Sequence, residues 1–243
     1  MDYSFLQCGE GALTVHLGDG IDPAINRRVT ALQGAIDSAG LRGITDLIPA
    51  YADLTVCYDC TVISAKALQR QLRRLLDSLS VAGQNRRRVF RLPVCYGGDY
   101  GPDLDFVCHH SGLSAQEVIA LHSQPDYLIY MLGFLPGFAY LGGLDPRLHT
   151  PRLDSPRTCI PAGSVGIGGA QTGVYPLASP GGWQLLGRTP VSVFDRQRQE
   201  PILYRAGDLV HFVPISPAEY EDIARAVAAG TYTVQVEEVP ICD

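Results

Sequence analysis

GGAQTGVYPLASPGGWQLLGRT, residues 168–189, carries glycine, proline, a tyrosine and a tryptophan with a single charge at Arg188. Widened to residues 133–190, the window holds 12 of the chain's 26 glycines and 8 of its 17 prolines, yet only six charged residues. A loop region that gains glycine and proline ordinarily gains polar residues as well. Here the extra content is aromatic: Phe134, Phe138, Tyr140, Tyr175 and Trp183. Glycine lets backbone approach a ligand or another backbone, and proline stiffens the path. Rigid apolar walls with a few aimed polar groups make a small-molecule pocket. Tight β-barrel corners with aromatic filling give the same composition. Composition supports the two readings equally.

Outward from this window the strand signals are short. SVGIG, VSVFD, PILYR and DLVHFVP read as strands separated by turn residues, the spacing of a barrel or sandwich. VFRLPVCY (89–96) and YLIYML (127–132) are further strands. Ser114 and Glu117 form a capping box for a helix reaching about Ser123, and Asp103 is placed to cap a shorter helix before it. Ser216, Pro217 and Glu219 start a last helix that Gly230 ends, and TYTVQVEEV closes as a strand. The N-terminal part differs. Two short strands flank Gly9-Glu10-Gly11. Asp22 and Pro23 start a helix with Ile25, Val29, Leu32 and Ile36 on one face, ending at Gly40. Residues 44–59 read as two strands turning near Ala52. A second helix from Ser64 carries the stripe Leu68, Leu72, Leu75 and Leu79. The order ββαββα predicts a small α+β sandwich with both helices on one face of its sheet. GQNRRR (83–88) reads as a linker with a solvated arginine run. Two domains follow: an α+β domain over 1–84 and a mainly-β domain over 89–243.

Charge and cysteine usage narrow the function. A net charge of −6 and a pI near 5.5 leave no basic surplus for phosphate neutralisation, which argues against nucleic acid as a partner. No leader pattern and no apolar run of membrane-spanning length is read, so the cytoplasm is the expected compartment. Seven cysteines without a secretion signal argue against a disulfide framework. The lone C-x-x-C of Cys57 and Cys60 is too small a set for zinc and reads as structural. No P-loop and no G-x-S-x-G elbow occurs, and GSVGIGG lacks the helix and acidic partner of a dinucleotide site. His109 and His110 are adjacent, point apart on a helix and read as exposed. His122 ends its helix, where it interacts with the helix terminus. His149 lies in the loops with Arg152 and Arg157, the cations best placed to receive a carboxylate or phosphate. A structural ion pair is as good a reading for each arginine. Residue chemistry alone does not establish an autonomous enzyme.

MLGFLPGFAYLGGLDPRLHTPR, IPAGSVGIGGAQTGVYPLASPGGWQLLGRTP, VFD and EPILYRAGDLVHFVP resemble the B-subunit family of prokaryotic ATP-dependent 5-oxoprolinase, also called KipI-like or allophanate hydrolase subunit 1. The resemblance is sharpest from Leu92 to Asp195. It implies an α+β N-terminal domain followed by a cyclophilin-like barrel, and a partnership with the C subunit, directly, and with the A subunit. The implied reaction opens 5-oxo-L-proline to L-glutamate with hydrolysis of ATP, its Mg2+ accompanying the nucleotide at an interface within the complex. The B and C subunits would activate the lactam and the A subunit would open it. The motif positions carry over Phe134, Pro136, Gly137, Phe138, Tyr140, Pro161, Gln171, Tyr175 and Trp183 as substrate-binding residues, and His149 and Arg152 as catalytic ones. His122, in ALHS, also stands at a motif position, where a catalytic role and a helix-capping role are both open. No metal ligand is implied on the chain. Ala170 departs from the glycine or proline common at that position. The alternative within the family is a regulator that inhibits a sensor histidine kinase.

Overall fold

The computed structural model describes residues 3–79 and 86–240. It divides into two compact units, Met1–Asn85 and Arg86–Asp243.

In the first unit, β1 (Ser4–Cys8), β2 (Ala12–His16), β3 (Ile44–Pro49) and β4 (Asp53–Tyr58) form an antiparallel sheet in the order β1-β2-β4-β3. Helix α1 (Pro23–Ala39) starts where the Asp22 carboxylate accepts from the Ala24 N–H, and it stops at Gly40 in the left-handed conformation. Helix α2 (Ala65–Asp77) is capped by Ser64. Alternate residues of β2 and β4, among them Leu13, Val15, Leu54 and Val56, meet Val29, Leu32 and Ile36 of α1 and Leu68, Leu72 and Leu76 of α2 in one core. The buried stripe of α2 thus ends on Leu76. Leu75 and Leu79, expected in the stripe, are only partly buried, because strict i, i+4 steps from Leu68 lead to position 76.

The second unit opens with β5 (Arg86–Tyr96), followed by α3 (Leu104–Ser111), α4 (Ala115–Ser123), β6 (Asp126–Leu132), β7 (Ala139–Gly142), β8 (Arg157–Ile160), β9 (Ser164–Gly168), β10 (Gln171–Val174), β11 (Ser179–Gly181), β12 (Gln184–Arg188), β13 (Leu209–Ile215), α5 (Pro217–Ala228) and β14 (Gln235–Pro240). Strands β12-β9-β10-β7-β6-β13-β5 pair in that order, and β12 pairs again with β5, so seven strands of mixed direction close on themselves. The closure is possible because β5 is eleven residues long. One of its edges runs parallel to β13, from Val89↔Leu209 to Cys95↔Ile215. The other is shared between β14, over Arg86 to Arg91, and β12, at Cys95 and Tyr96. Leu92, Val94, Ile129, Leu141, Val165, Ile167 and Phe212 fill the interior. A separate two-stranded ribbon pairs β8 with β11.

Two expectations change here. Residues 83–85 of the anticipated linker lie outside the described residues, but Arg86, Arg87 and Arg88 begin β5. The run is paired: Arg88 donates to both oxygens of the buried Asp208 carboxylate at 3.0 and 2.6 Å, and Arg86 lies 3.2 Å from Glu238. VSVFD and PILYR are not strands of the barrel; a single bridge, Phe194↔Ile202, joins them. Among the described residues no helix is long and apolar enough to cross a membrane.

Candidate functional site

The window that looked anomalous is mostly strand. It supplies β10, β11 and β12, and its glycines stand where Trp183 is laid down. A Cβ at Gly168 would overlap the Trp183 indole, and one at Gly173 would press on its far edge. The indole therefore lies flat on the β9–β10 hairpin, which no larger residue at position 168 would permit. Phe138 is the hub of the surrounding cluster. It makes edge-to-face contacts with Tyr140 (5.3 Å between centroids), Trp183 (5.6 Å), Tyr175 (5.7 Å) and Phe134 (5.8 Å), the orientation that aromatic quadrupoles favour. Ile160 and Leu185 complete this second, smaller core.

These rings wall a pocket of about 170 Å³, lined by Phe134, Phe138, Tyr140, Arg152, Tyr175, Pro180, Gly181, Gly182 and Trp183. Five carried-over aromatics and Arg152 thus converge. Arg152 is the one charged side chain in the lining, and among the described residues it has no ion pair. Phe134 forms the rim, 70% exposed, with φ of 61°. The Leu135 N–H donates to the Gly133 carbonyl at 2.7 Å across it, a γ-turn with positive φ, which is a strained conformation for a residue with a bulky side chain. Gly137 also has a positive φ, 82°, and its carbonyl accepts from the Tyr204 hydroxyl at 2.9 Å. Pro136 beside it is exposed.

Other expected site residues lie elsewhere. Pro161 is exposed at the turn before β9, where its carbonyl accepts from the Ser164 N–H. Gln171 opens β10 opposite Gly168. His149 is exposed after a short turn at Pro146–Leu148. Its charge helps depress Asp145, which hydrogen bonds from Arg147 chiefly hold down to about 2. His122 is fully buried inside the barrel. Its Nε2 lies 2.7 Å from Thr172 Oγ1, its Nδ1 lies 2.8 Å from the Tyr96 hydroxyl, and its ring stacks on Phe212 at 4.9 Å. Neither it nor these partners line the pocket.

Arg157 is spent on structure: it donates to Asp103 Oδ1 at 2.6 Å and to the Trp183 carbonyl at 3.3 Å. Asp103 stands at the N-cap position of α3 but makes no capping bond. Its other oxygen accepts from the Leu185 N–H at 2.6 Å. The sequence reading did not single out Pro180, Gly181 and Gly182; their place beside the lone tryptophan was the available signal. His109 and His110 are exposed, and His110 stacks on Phe106. Cys57 is half-buried and Cys60 exposed, with no disulfide among the described residues. No group of three or more His, Cys, Asp or Glu among the described residues could hold a metal ion.

The family model described as carboxyltransferase domain, subdomain C and D, matches residues 3–204. The chain is 42% identical over 228 residues to a Bacillus subtilis (strain 168) protein named as the B subunit of 5-oxoprolinase, covering 90% of this chain and 95% of that one. It is 45% identical over 208 residues to the protein of that name from Escherichia coli O157:H7, covering 85% and 93%. Among solved structures, K. lactis urea amidolyase shares the fold with a TM-score of 0.80 at 23% identity, over 98% of this chain and 16% of the other.

Proposed function

The chain belongs to the B-subunit family of 5-oxoprolinase, and on that premise we propose that it is the B subunit of an ATP-dependent 5-oxoprolinase whose lactam substrate sits in the aromatic pocket. The enzyme would convert 5-oxo-L-proline to L-glutamate with hydrolysis of ATP, this chain acting with the C subunit, its direct neighbour, and with the A subunit. The closed barrel is taken as the cyclophilin-like domain of that family.

One observation carries the reading: five aromatic rings and one guanidinium, without an acidic partner among the described residues, face a small common space. 5-Oxoproline is a small ring with apolar methylene edges, one carboxylate and one lactam. Its methylenes suit the faces of Phe138, Tyr140, Tyr175 and Trp183, and its carboxylate suits Arg152. Phe134 would shield the ring from water. Pro136 and Gly137 shape the turn that carries Phe134, and Pro161 and Gln171 frame the β9–β10 hairpin under Trp183. His122 is assigned to holding the barrel, and His149 to the solvent face.

The lactam is an unactivated amide. Transfer of the ATP γ-phosphate to its oxygen gives a carbon that water attacks; the C–N bond then breaks, the nitrogen gains a proton and phosphate leaves. The described residues offer no metal-holding cluster, and the pocket offers a single guanidinium, a poor fit for a nucleotide with its Mg2+. The part assigned to this chain is binding and orientation of the lactam, with ATP engaged in the assembled complex.

Trp183 is the chain's one tryptophan, so its emission reports on the pocket. Titration with 5-oxo-L-proline is expected to change that emission saturably. Arg152→Gln removes a charge-assisted contact worth about 2 kcal/mol, roughly 30-fold in affinity. With the cognate A and C subunits, the same variant should lose glutamate release at low substrate. No saturable response in the native chain, together with no turnover in the full mixture, would overturn the reading in favour of a kinase regulator.

A further inference from the structure

Two arginines act on the Tyr175 hydroxyl. Burial pushes its pKa up, and the guanidiniums of Arg152 and Arg157 both pull it back. Arg152 is part of the pocket lining, whereas Arg157 does not line it but pairs in the β8–β11 ribbon with Gly181, which does. Arg152 lines the pocket without an acidic partner among the described residues. Arg157 sits behind the Trp183 carbonyl and is held by Asp103. Asp103 is itself nearly buried, with a side-chain exposure of 12%. Its second oxygen is fixed by the Leu185 N–H of β12, so the carboxylate has little freedom to swing back and cap α3.

We propose that Asp103 is a specificity-determining residue: by engaging Arg157 it leaves the pocket one available guanidinium, so that the site takes a small monocarboxylate and discriminates against dicarboxylates of similar length. The proposal rests on the reading of this pocket as the lactam site. Substrate and product differ in this respect, since ring opening converts one carboxylate into two and adds an ammonium group. A pocket with two free guanidiniums would grip both ends of a dicarboxylate. With Arg157 engaged, the second carboxylate meets an aromatic wall with nothing to repay its desolvation.

The test uses the full chain, 5-oxo-L-proline and glutarate as probes, and Trp183 emission with calorimetry as readouts. The native chain is expected to prefer 5-oxo-L-proline at least ten-fold. Asp103→Asn keeps the shape but places an amide N–H against either Arg157 or the Leu185 N–H. It should tighten glutarate binding at least ten-fold, and Asp103→Asn with Arg157→Gln should abolish that gain. Asp103→Ser, which keeps an acceptor for Leu185, serves if the asparagine variant does not fold by circular dichroism. Unchanged glutarate affinity in a folded single variant would overturn the proposal, as would a gain that persists in the double variant. If the native chain bound neither probe, the pocket reading itself would fall, and this proposal with it.

Discussion

The Thr172 hydroxyl has one proton and donates it to the Gly166 carbonyl at 3.0 Å, so toward His122 it acts as acceptor. The Nε2 of His122 therefore carries the hydrogen, and its Nδ1 accepts from Tyr96. The neutral ring is fully satisfied, and burial lowers its pKa to about 3. The unfolded chain takes up a proton near pH 6.5, whereas the native ring does not. Stability from this residue is thus complete above pH 6.5 and declines as pH falls toward 3, by about 1.4 kcal/mol per pH unit inside that window. Denaturant unfolding at pH 6.5 to 5 is expected to show that slope, and His122→Gln to lose one proton's share of it. The residue pattern placed this histidine at a helix end, and the family motif left a catalytic role open beside that one. Its partners come from three strands distant along the chain, so no local pattern announces its burial. Asp103 shows the same limit: its N-cap position was legible, but its preference for Arg157 and Leu185 was not.

Trp183 ties two hairpins together. It rides on the glycines of β9 and β10 while its own carbonyl accepts from Arg157, the first residue of β8. Gly168→Ala inserts a methyl group where the indole already lies. Overpacking of this kind is expected to cost about 1–3 kcal/mol and to shift the tryptophan emission, both measurable in one melt followed by fluorescence. Helices were read well because caps are local: Asp22, Ser64, Ser114 and Ser216 all act within three residues of themselves. Strands β7, β8, β10, β11 and β12 were not read individually. They run three to five residues, and all but β8 carry the glycine or proline that ordinarily signals a turn. Conversely, VSVFD alternates well but meets only one bridging residue, since pairing depends on a distant neighbour as well as on the segment itself.

Each unit of the chain has its own apolar core, and every residue lining the pocket belongs to the second. A protein restricted to 86–243 is therefore expected to keep the saturable Trp183 response to 5-oxo-L-proline within about three-fold of the full chain, as checked by the same titration. The change of fold class near residue 85 was visible in sequence, where ββαββα gives way to strands without helical periodicity. Barrel closure was not, because it depends on β5 meeting β12, β13 and β14. That arrangement has a consequence for synthesis on the ribosome. The longest strand of the barrel emerges first, yet its parallel partner β13 begins 113 residues beyond its end, at Leu209. At ordinary translation speeds β5 waits roughly 6 to 23 s for that partner with the β13 edge open. Arg86, Arg87, Arg88 and Arg91, together with Pro93, lie along it. Charges and proline are what discourage an unpaired strand from joining its neighbours on a polysome. The arginines that later find Asp208, Glu237 and Glu238 would first serve as a guard on a nascent edge.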